Sequence, residues 1–127
     1  MSYSKDSKQY TQPSVPQIKL KSLEANLFDS VASECANAIS KTKPTQVRNF
    51  YDYVLKLINE VDDGKEFENI LPFVKMLNSK VHYAKTRGHA SSEFVNMIKQ
   101  CVSQVDSKET LKTFKLFFEA VIGFSKK

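Results

Sequence analysis

One stretch of the sequence, residues 71–88, gathers side chains that are suited to binding an anion. It carries four cations: Lys75, Lys80, Lys85 and Arg87. Lys80, Tyr83 and Arg87 are spaced at i, i+3 and i+7, which places them on one side of a helix. No carboxylate occurs between Glu68 and Glu93, although mixed charges normally stabilise an exposed helix face. The pattern favours a surface for a polyanion, or a basic face whose cations only complement the carboxyl end of the helix.

A second basic group lies at the start of a helix predicted over residues 45–61. Lys43 and Arg48 belong to it, and no acid occurs between Glu34 and Asp52. Helix amino ends usually attract acidic side chains, because their unpaired N–H groups and the helix dipole favour negative charge. A cationic amino end therefore leaves room for an external phosphate. The alternative is an i,i+4 ion pair between Arg48 and Asp52 on a solvated face.

Motifs for catalysis or metal binding are missing from the sequence. Cys35 and Cys101 are isolated, with no second cysteine or histidine at metal-ligand spacing. We expect both to be buried, free thiols, with a disulfide between them as the less favoured alternative. His82 and His89 have no acidic or thiol partner at zinc spacing. We therefore expect no enzyme activity, no catalytic residue, no metal and no cofactor.

The composition fits one domain with a positive surface. The chain has 127 residues, 41% of them hydrophobic, and a net charge of +5, which suits a nucleic acid or an anionic membrane surface as partner. No apolar run approaches the roughly 18 residues that a membrane span requires. The amino-terminal sequence has no apolar core of a secretory signal, so a cytoplasmic protein is expected.

Apolar residues recur at helical spacing in five segments. The segments are residues 23–39, 45–61, 71–88, 91–105 and 106–124. Pro72 is expected in the first turn of the third helix or at a kink, after a short helical lead-in. Asp106 and Glu109 predict a capping box that opens the last helix. The sequence thus predicts an all-α, compact bundle of about five helices, with the last helix central.

The amino-terminal residues lack this periodicity. Residues 1–20 are rich in Ser, Thr, Gln and Lys, with two prolines. This composition predicts a flexible basic arm over residues 1–20, followed by a single helical domain over residues 21–127. The arm either trails along a phosphate backbone or serves only as a solubilising tail.

Three stretches in order resemble one known family, the small all-helical subunit of the type III-A CRISPR effector, the Csm complex. The first is TQVRNFY from Thr45, which is similar to the helix opening of that family. The second ends in YAKTR at Arg87, and the third is the phenylalanine-rich FKLFFEAVIGF from Phe114. The resemblance covers about residues 41–127. Gly123 departs from the family pattern, because a bulkier residue is usual there.

The resemblance implies a non-catalytic building block. Subunits of this family stack head-to-tail as an inner filament beside the backbone subunits, which hold the guide RNA. Their basic face borders the guide–target duplex and contacts the target RNA strand. RNA cleavage belongs to the backbone subunits, and DNase and cyclic oligoadenylate activities belong to the large signature subunit.

Six residues are candidates for contact with RNA: Lys43, Gln46, Arg48, Lys80, Lys85 and Arg87. Lys43 and Lys80 follow from the charge argument alone, and the other four occupy positions that match the resemblance. Tyr83 is expected to stack on a base or sugar, or to pack against a neighbouring subunit, whereas Tyr51 is expected in the core.

The alternative function is a helical adaptor that binds only protein. A basic strip continuous across the two motif helices favours RNA contact. Arg48 and Arg87 facing away from each other favours the adaptor.

Overall fold

The computed structural model describes residues 14–125 of the chain. Within this range the chain forms five α-helices: α1 (Ala32–Ala38), α2 (Pro44–Asp62), α3 (Phe67–Thr86), α4 (Ser92–Gln104) and α5 (Lys108–Ser125). A π-helical turn, Leu27–Val31, leads directly into α1. No strand occurs among the described residues, so the predicted all-α class and the five-helix bundle are confirmed.

Aromatic rings form the centre of the core. The Phe118 ring of α5 lies 5.7 Å from Tyr51, 6.3 Å from Phe94 and 6.0 Å from Phe114, measured between ring centroids. Tyr51 and Phe94 meet Phe118 edge-on, a geometry that stabilises aromatic pairs beyond the area that they bury. α5 thereby joins α2 and α4, and the prediction that Tyr51 belongs to the core is confirmed.

The first and third helices begin several residues away from their predicted starts. Leu23 has a φ of +47°, in the left-handed region, so it cannot continue a right-handed helix. Helical structure begins instead at Leu27. α3 starts before the predicted position, so Pro72 lies inside the helix and not in its first turn. A proline removes a backbone hydrogen bond, but buried Ile70 anchors the first turns of α3 in the core.

α5 opens with a capping box one residue later than predicted. The backbone N–H of Thr110 donates to Ser107 Oγ at 3.1 Å, and the N–H of Ser107 donates to Thr110 Oγ1 at 3.0 Å. Each side chain thus satisfies an N–H group that the helix leaves without an internal partner. Ser107 is the cap, whereas the sequence indicated Asp106 together with Glu109.

An extended segment before the first helix lies along α4, held by two glutamines one turn apart. Gln100 accepts from the N–H of Ile18 at 2.9 Å and donates to the C=O of Pro16 at 3.0 Å. Gln104 accepts from the N–H of Leu20 at 2.8 Å and donates to the C=O of Ile18 at 2.6 Å. The side chains of Ile18 and Leu20 are buried. The glutamines therefore pair main-chain groups that have no helix or sheet to satisfy them.

This N-terminal segment, residues 14–20, differs from the flexible arm expected there, because it packs on the bundle. Lys21 extends the attachment through an ion pair of 2.6 Å with Asp106, between α4 and α5. Residues 1–13, the rest of the expected arm, lie outside the described part of the chain.

Candidate nucleic-acid interface

A groove with a volume of about 330 Å³ opens between α2 and α3. Its lining residues, which define the α2–α3 groove, are Gln46, Asn49, Phe50, Tyr53, Lys80, Tyr83, Ala84, Arg87 and His89. Each helix contributes residues at i, i+3, i+4 and i+7, so one stripe of each helix faces the groove. The helices run antiparallel, because Gln46 near the start of α2 shares the groove with Arg87 at the end of α3.

Tyr53 is fixed at one wall of the groove. Its hydroxyl donates a hydrogen bond to the C=O of Phe73 at 2.8 Å. Burial, and secondly the charge of Glu60, raise the pKa of the Tyr53 phenol, so the hydroxyl keeps its proton at neutral pH. The Nζ atom of Lys80 lies 5.0 Å from the centroid of the Tyr53 ring, within the range of cation–π attraction. The ring thereby holds the Lys80 ammonium at the groove.

Tyr83 and Arg87 form a second pair of an aromatic ring and a cation, one turn apart on α3. The Nη1 atom of Arg87 donates to the Tyr83 hydroxyl at 2.9 Å, and the guanidinium carbon lies 5.6 Å from the ring centroid. Tyr83 remains 61% exposed. An exposed aromatic ring with a fixed cation beside it suits a ligand that is both planar and negatively charged.

The groove is positive as well as aromatic. Lys80 and Arg87 are its fixed cations, and none of the lining residues in the described structure is acidic. The side-chain amides of Gln46 and Asn49 add hydrogen-bond donors and acceptors at the α2 wall. This set of groups can bind phosphate and planar polar rings.

Gln46, Lys80 and Arg87, three of the six residues predicted to contact RNA, meet in this groove. Arg48 does not line it, because it stands about 200° around α2 from Gln46. Arg48 instead pairs with Asp52 through Nε at 3.2 Å and lies over the Tyr51 ring at 5.5 Å. The i,i+4 ion pair, one of the two interpretations of Arg48, is therefore the observed arrangement. Arg48 and Arg87 do not share a surface.

The cations of α3 point in three directions. Lys85 and Lys75 each stand about 140° from Lys80, in opposite directions around the helix, and about 80° from each other. Lys75 donates to the C=O of Val102 in α4 at 3.4 Å. Lys85 is exposed and does not line the groove. The basic strip of α3 at the groove is thus Lys80 with Arg87.

The start of α2 is tied to the start of α4. Ser91 caps α4 by accepting from the N–H of Phe94 at 3.2 Å, and the N–H of Ser91 donates to Thr42 Oγ1 at 2.9 Å. The first turn of α2 has no acidic residue, as its sequence indicated, and it has no side-chain cap. Lys43 precedes this turn and is exposed, without lining the groove. Phosphate binding at this end stays a prediction.

Tyr53, Asn49 and His89 line the groove but were not singled out from the sequence. Helical spacing could have indicated the two α2 residues, because Asn49 and Tyr53 follow Gln46 at i+3 and i+7 and so lie on the same side of the helix. His89 follows α3 in a loop, where helical spacing gives no guide to its position.

No cluster of His, Cys, Asp or Glu that could hold a metal ion occurs among residues 14–125. Cys35 and Cys101 are free and buried, as expected. Burial, and secondly the charge of Glu34, raise the pKa of the Cys35 thiol to about 12. Burial also raises the pKa of Cys101 well above its ordinary value. Both thiols therefore stay protonated at neutral pH and are poor nucleophiles. None of the helices within the described range is long and apolar enough to cross a membrane.

The fold and the groove define a small helical-bundle protein with a basic, aromatic surface. The model of the Csm2 Type III-A family matches residues 22–127 of the chain. The chain therefore belongs to this family, the small subunits of the type III-A CRISPR Csm complex, and it is a component of that complex together with other Csm subunits. The comparisons with curated proteins and with solved structures found no match.

Proposed function

We propose that the chain is a non-catalytic, cytoplasmic building block of the Csm complex that contacts RNA through the α2–α3 groove. In this role Lys80 and Arg87 meet phosphates of the target RNA strand within the guide–target duplex, and Gln46 lies beside them. The observation that carries the proposal is that these three residues line one groove that has no acidic lining residue. Such a protein does not need to read sequence, because phosphate contacts position a protein on RNA without base specificity.

We also propose that copies of the chain stack on one another along the backbone subunits. Two exposed apolar residues of α3, Phe73 and Met76, lie on the same stripe as Lys80, at seven and four residues before it. Neighbouring apolar side chains on an exposed face commonly mark protein contacts. The stripe thus offers an apolar half for a neighbouring subunit and a cationic half for RNA.

The test is reconstitution of the Csm complex with the double variant Lys80→Gln/Arg87→Gln. Both side chains are exposed, so the helical signal in circular dichroism and the assembly of the complex should be unchanged. Affinity for target RNA should fall, and the slope of log K against log salt should decrease by about one for each phosphate that the variant no longer binds. Arg48→Gln is the matched control, because it removes one cation from the other side of α2.

If Arg48→Gln lowers the affinity for target RNA as much as the double variant does, the RNA contact lies outside the groove. The protein-adaptor function has one observation in its favour, namely that Arg48 and Arg87 do not share a surface. Loss of assembly in the double variant, with RNA affinity per assembled complex unchanged, would support the adaptor instead.

A further inference from the structure

The face of the Tyr83 ring is open to a ligand. A guanidinium stacked flat on a ring lies about 3.5–4 Å from it. The guanidinium carbon of Arg87 is 5.6 Å from the ring centroid, and Nη1 bonds the hydroxyl at 2.9 Å. Arg87 therefore sits towards the hydroxyl end of the ring and leaves a face uncovered.

The opposite wall of the groove carries two amides that have no partner among the described residues. Among residues 14–125, the side chains of Gln46 and Asn49 make no hydrogen bond to the protein. An amide presents both donors and an acceptor, so it can bond the polar edge of any nucleobase. The groove volume of about 330 Å³ is at the lower end of the range for small-molecule sites.

We propose that the α2–α3 groove binds one unpaired nucleotide of an RNA strand. The base stacks on Tyr83, its edge meets the amides of Gln46 and Asn49, and the adjoining phosphates meet Lys80 and Arg87. This inference rests on the proposed function and adds to it that the strand presents a base, and not its phosphates alone. Stacking tolerates every base, because each has a π-face, so the site accepts a nucleotide with little sequence preference.

A protein side chain fits the same groove less well. An apolar side chain would bury Lys80, Arg87 and the two amides without supplying hydrogen bonds, and burying unpaired polar groups is costly. A nucleotide supplies an aromatic ring, polar edges and negative charge together. The chemistry of the lining therefore favours RNA over a second protein.

The first experiment is an NMR titration of the full chain with uridine monophosphate, with ribose phosphate as the matched ligand that lacks the base. Stacking predicts an upfield shift of the Tyr83 ring protons with uridine monophosphate only, because the base ring current acts on the ring that it covers. Equal shifts with the two ligands, or no shift of the Tyr83 ring with either, would overturn the nucleotide site.

The second experiment measures target RNA affinity of the reconstituted complex with Tyr83→Leu and Tyr83→Phe. Leucine keeps apolar bulk but cannot stack, so affinity should fall about fivefold or more, whereas phenylalanine should retain it. Weaker binding of Lys80→Gln/Arg87→Gln with unchanged binding of Tyr83→Leu would overturn the nucleotide site and leave the proposed function standing. Unchanged affinity for target RNA in all of these variants would contradict both the nucleotide site and the proposed function.

Discussion

Two surfaces of this bundle carry pairs of amide side chains, and within residues 14–125 the chain fills only one of them. On α4, Gln100 and Gln104 bond the main chain of the N-terminal segment and cover it from Pro16 to Leu20. On α2, Gln46 and Asn49 are spaced in a similar way but face the open α2–α3 groove. The same chemical group thus serves the fold at one place and is left available at the other.

The difference between the surfaces lies in what surrounds the amides. At the filled surface the ligand is the chain itself, which brings the buried side chains of Ile18 and Leu20, so the contact stabilises the fold. At the groove the amides lie beside two cations, Lys80 near the Tyr53 ring and Arg87 near the exposed Tyr83 ring. Attraction between exposed groups adds little to the stability of the fold, because water screens it. We infer that the filled surface contributes to stability and that the groove contributes to binding.

The largest expected effect on stability comes from Leu20→Ala, which removes a buried side chain from the filled surface. The Leu20 side chain is 1% exposed, so its truncation should lower the free energy of unfolding by about 2–5 kcal/mol. The matched change in the groove, Tyr83→Ala, should alter it by no more than about 0.5 kcal/mol, because Tyr83 is exposed. Urea unfolding followed by circular dichroism measures both values. Equal losses in the two variants would remove the distinction between the surfaces.

A smaller effect is expected from removing one amide at each surface. Gln104→Ala leaves the N–H of Leu20 and the C=O of Ile18 without their partner, which should cost about 1–3 kcal/mol of unfolding free energy. Gln46→Ala, in the groove, should cost less than about 0.5 kcal/mol. Hydrogen exchange of the Leu20 amide should accelerate in the first variant alone. Faster exchange in Gln46→Ala would show that the groove supports the N-terminal segment as well.

The fold was largely predictable because its core follows local helical spacing. Val74, Leu77 and Val81, the stripe expected to be buried on α3, have no exposed surface. The N-terminal segment escaped prediction because its partners lie 82 to 86 residues away in the sequence. A short extended stretch has no periodicity of its own that could reveal such a distant contact.

The candidate site was predictable where spacing within one helix decided which residues line the groove. Lys80, Tyr83 and Arg87 face the groove, as their i, i+3 and i+7 positions indicated. Arg48 matches the motif but lies on another side of α2 from the groove, because a position in a motif does not tell which side of a helix faces a neighbour. Its contact with RNA stays a prediction. Tyr53 reaches the groove through the packing of α2 on α3, a contact between helices that spacing in α2 alone does not specify.

The smallest expected effect concerns the ion pair that ends the filled surface. The hydrogen bond from Lys21, at 2.6 Å, lowers the pKa of Asp106 from its ordinary value of 3.8. A lowered carboxyl pKa stabilises the folded chain above the ordinary value, and this contribution is lost as the pH falls below 3.8 through the lowered pKa. The effect should be slight, because both side chains are more than half exposed. As the pH falls below 3.8, amide exchange at Leu20 should therefore quicken modestly relative to the Asp106→Asn variant. The Tyr83 ring resonances, in a groove whose lining has no carboxylate, should stay unchanged over this same range. If the exchange rate of the Leu20 amide depends on pH in the same way in the wild type and in Asp106→Asn, the ion pair does not hold the N-terminal segment. Gln100 and Gln104, with the buried side chains, would then be enough to hold it.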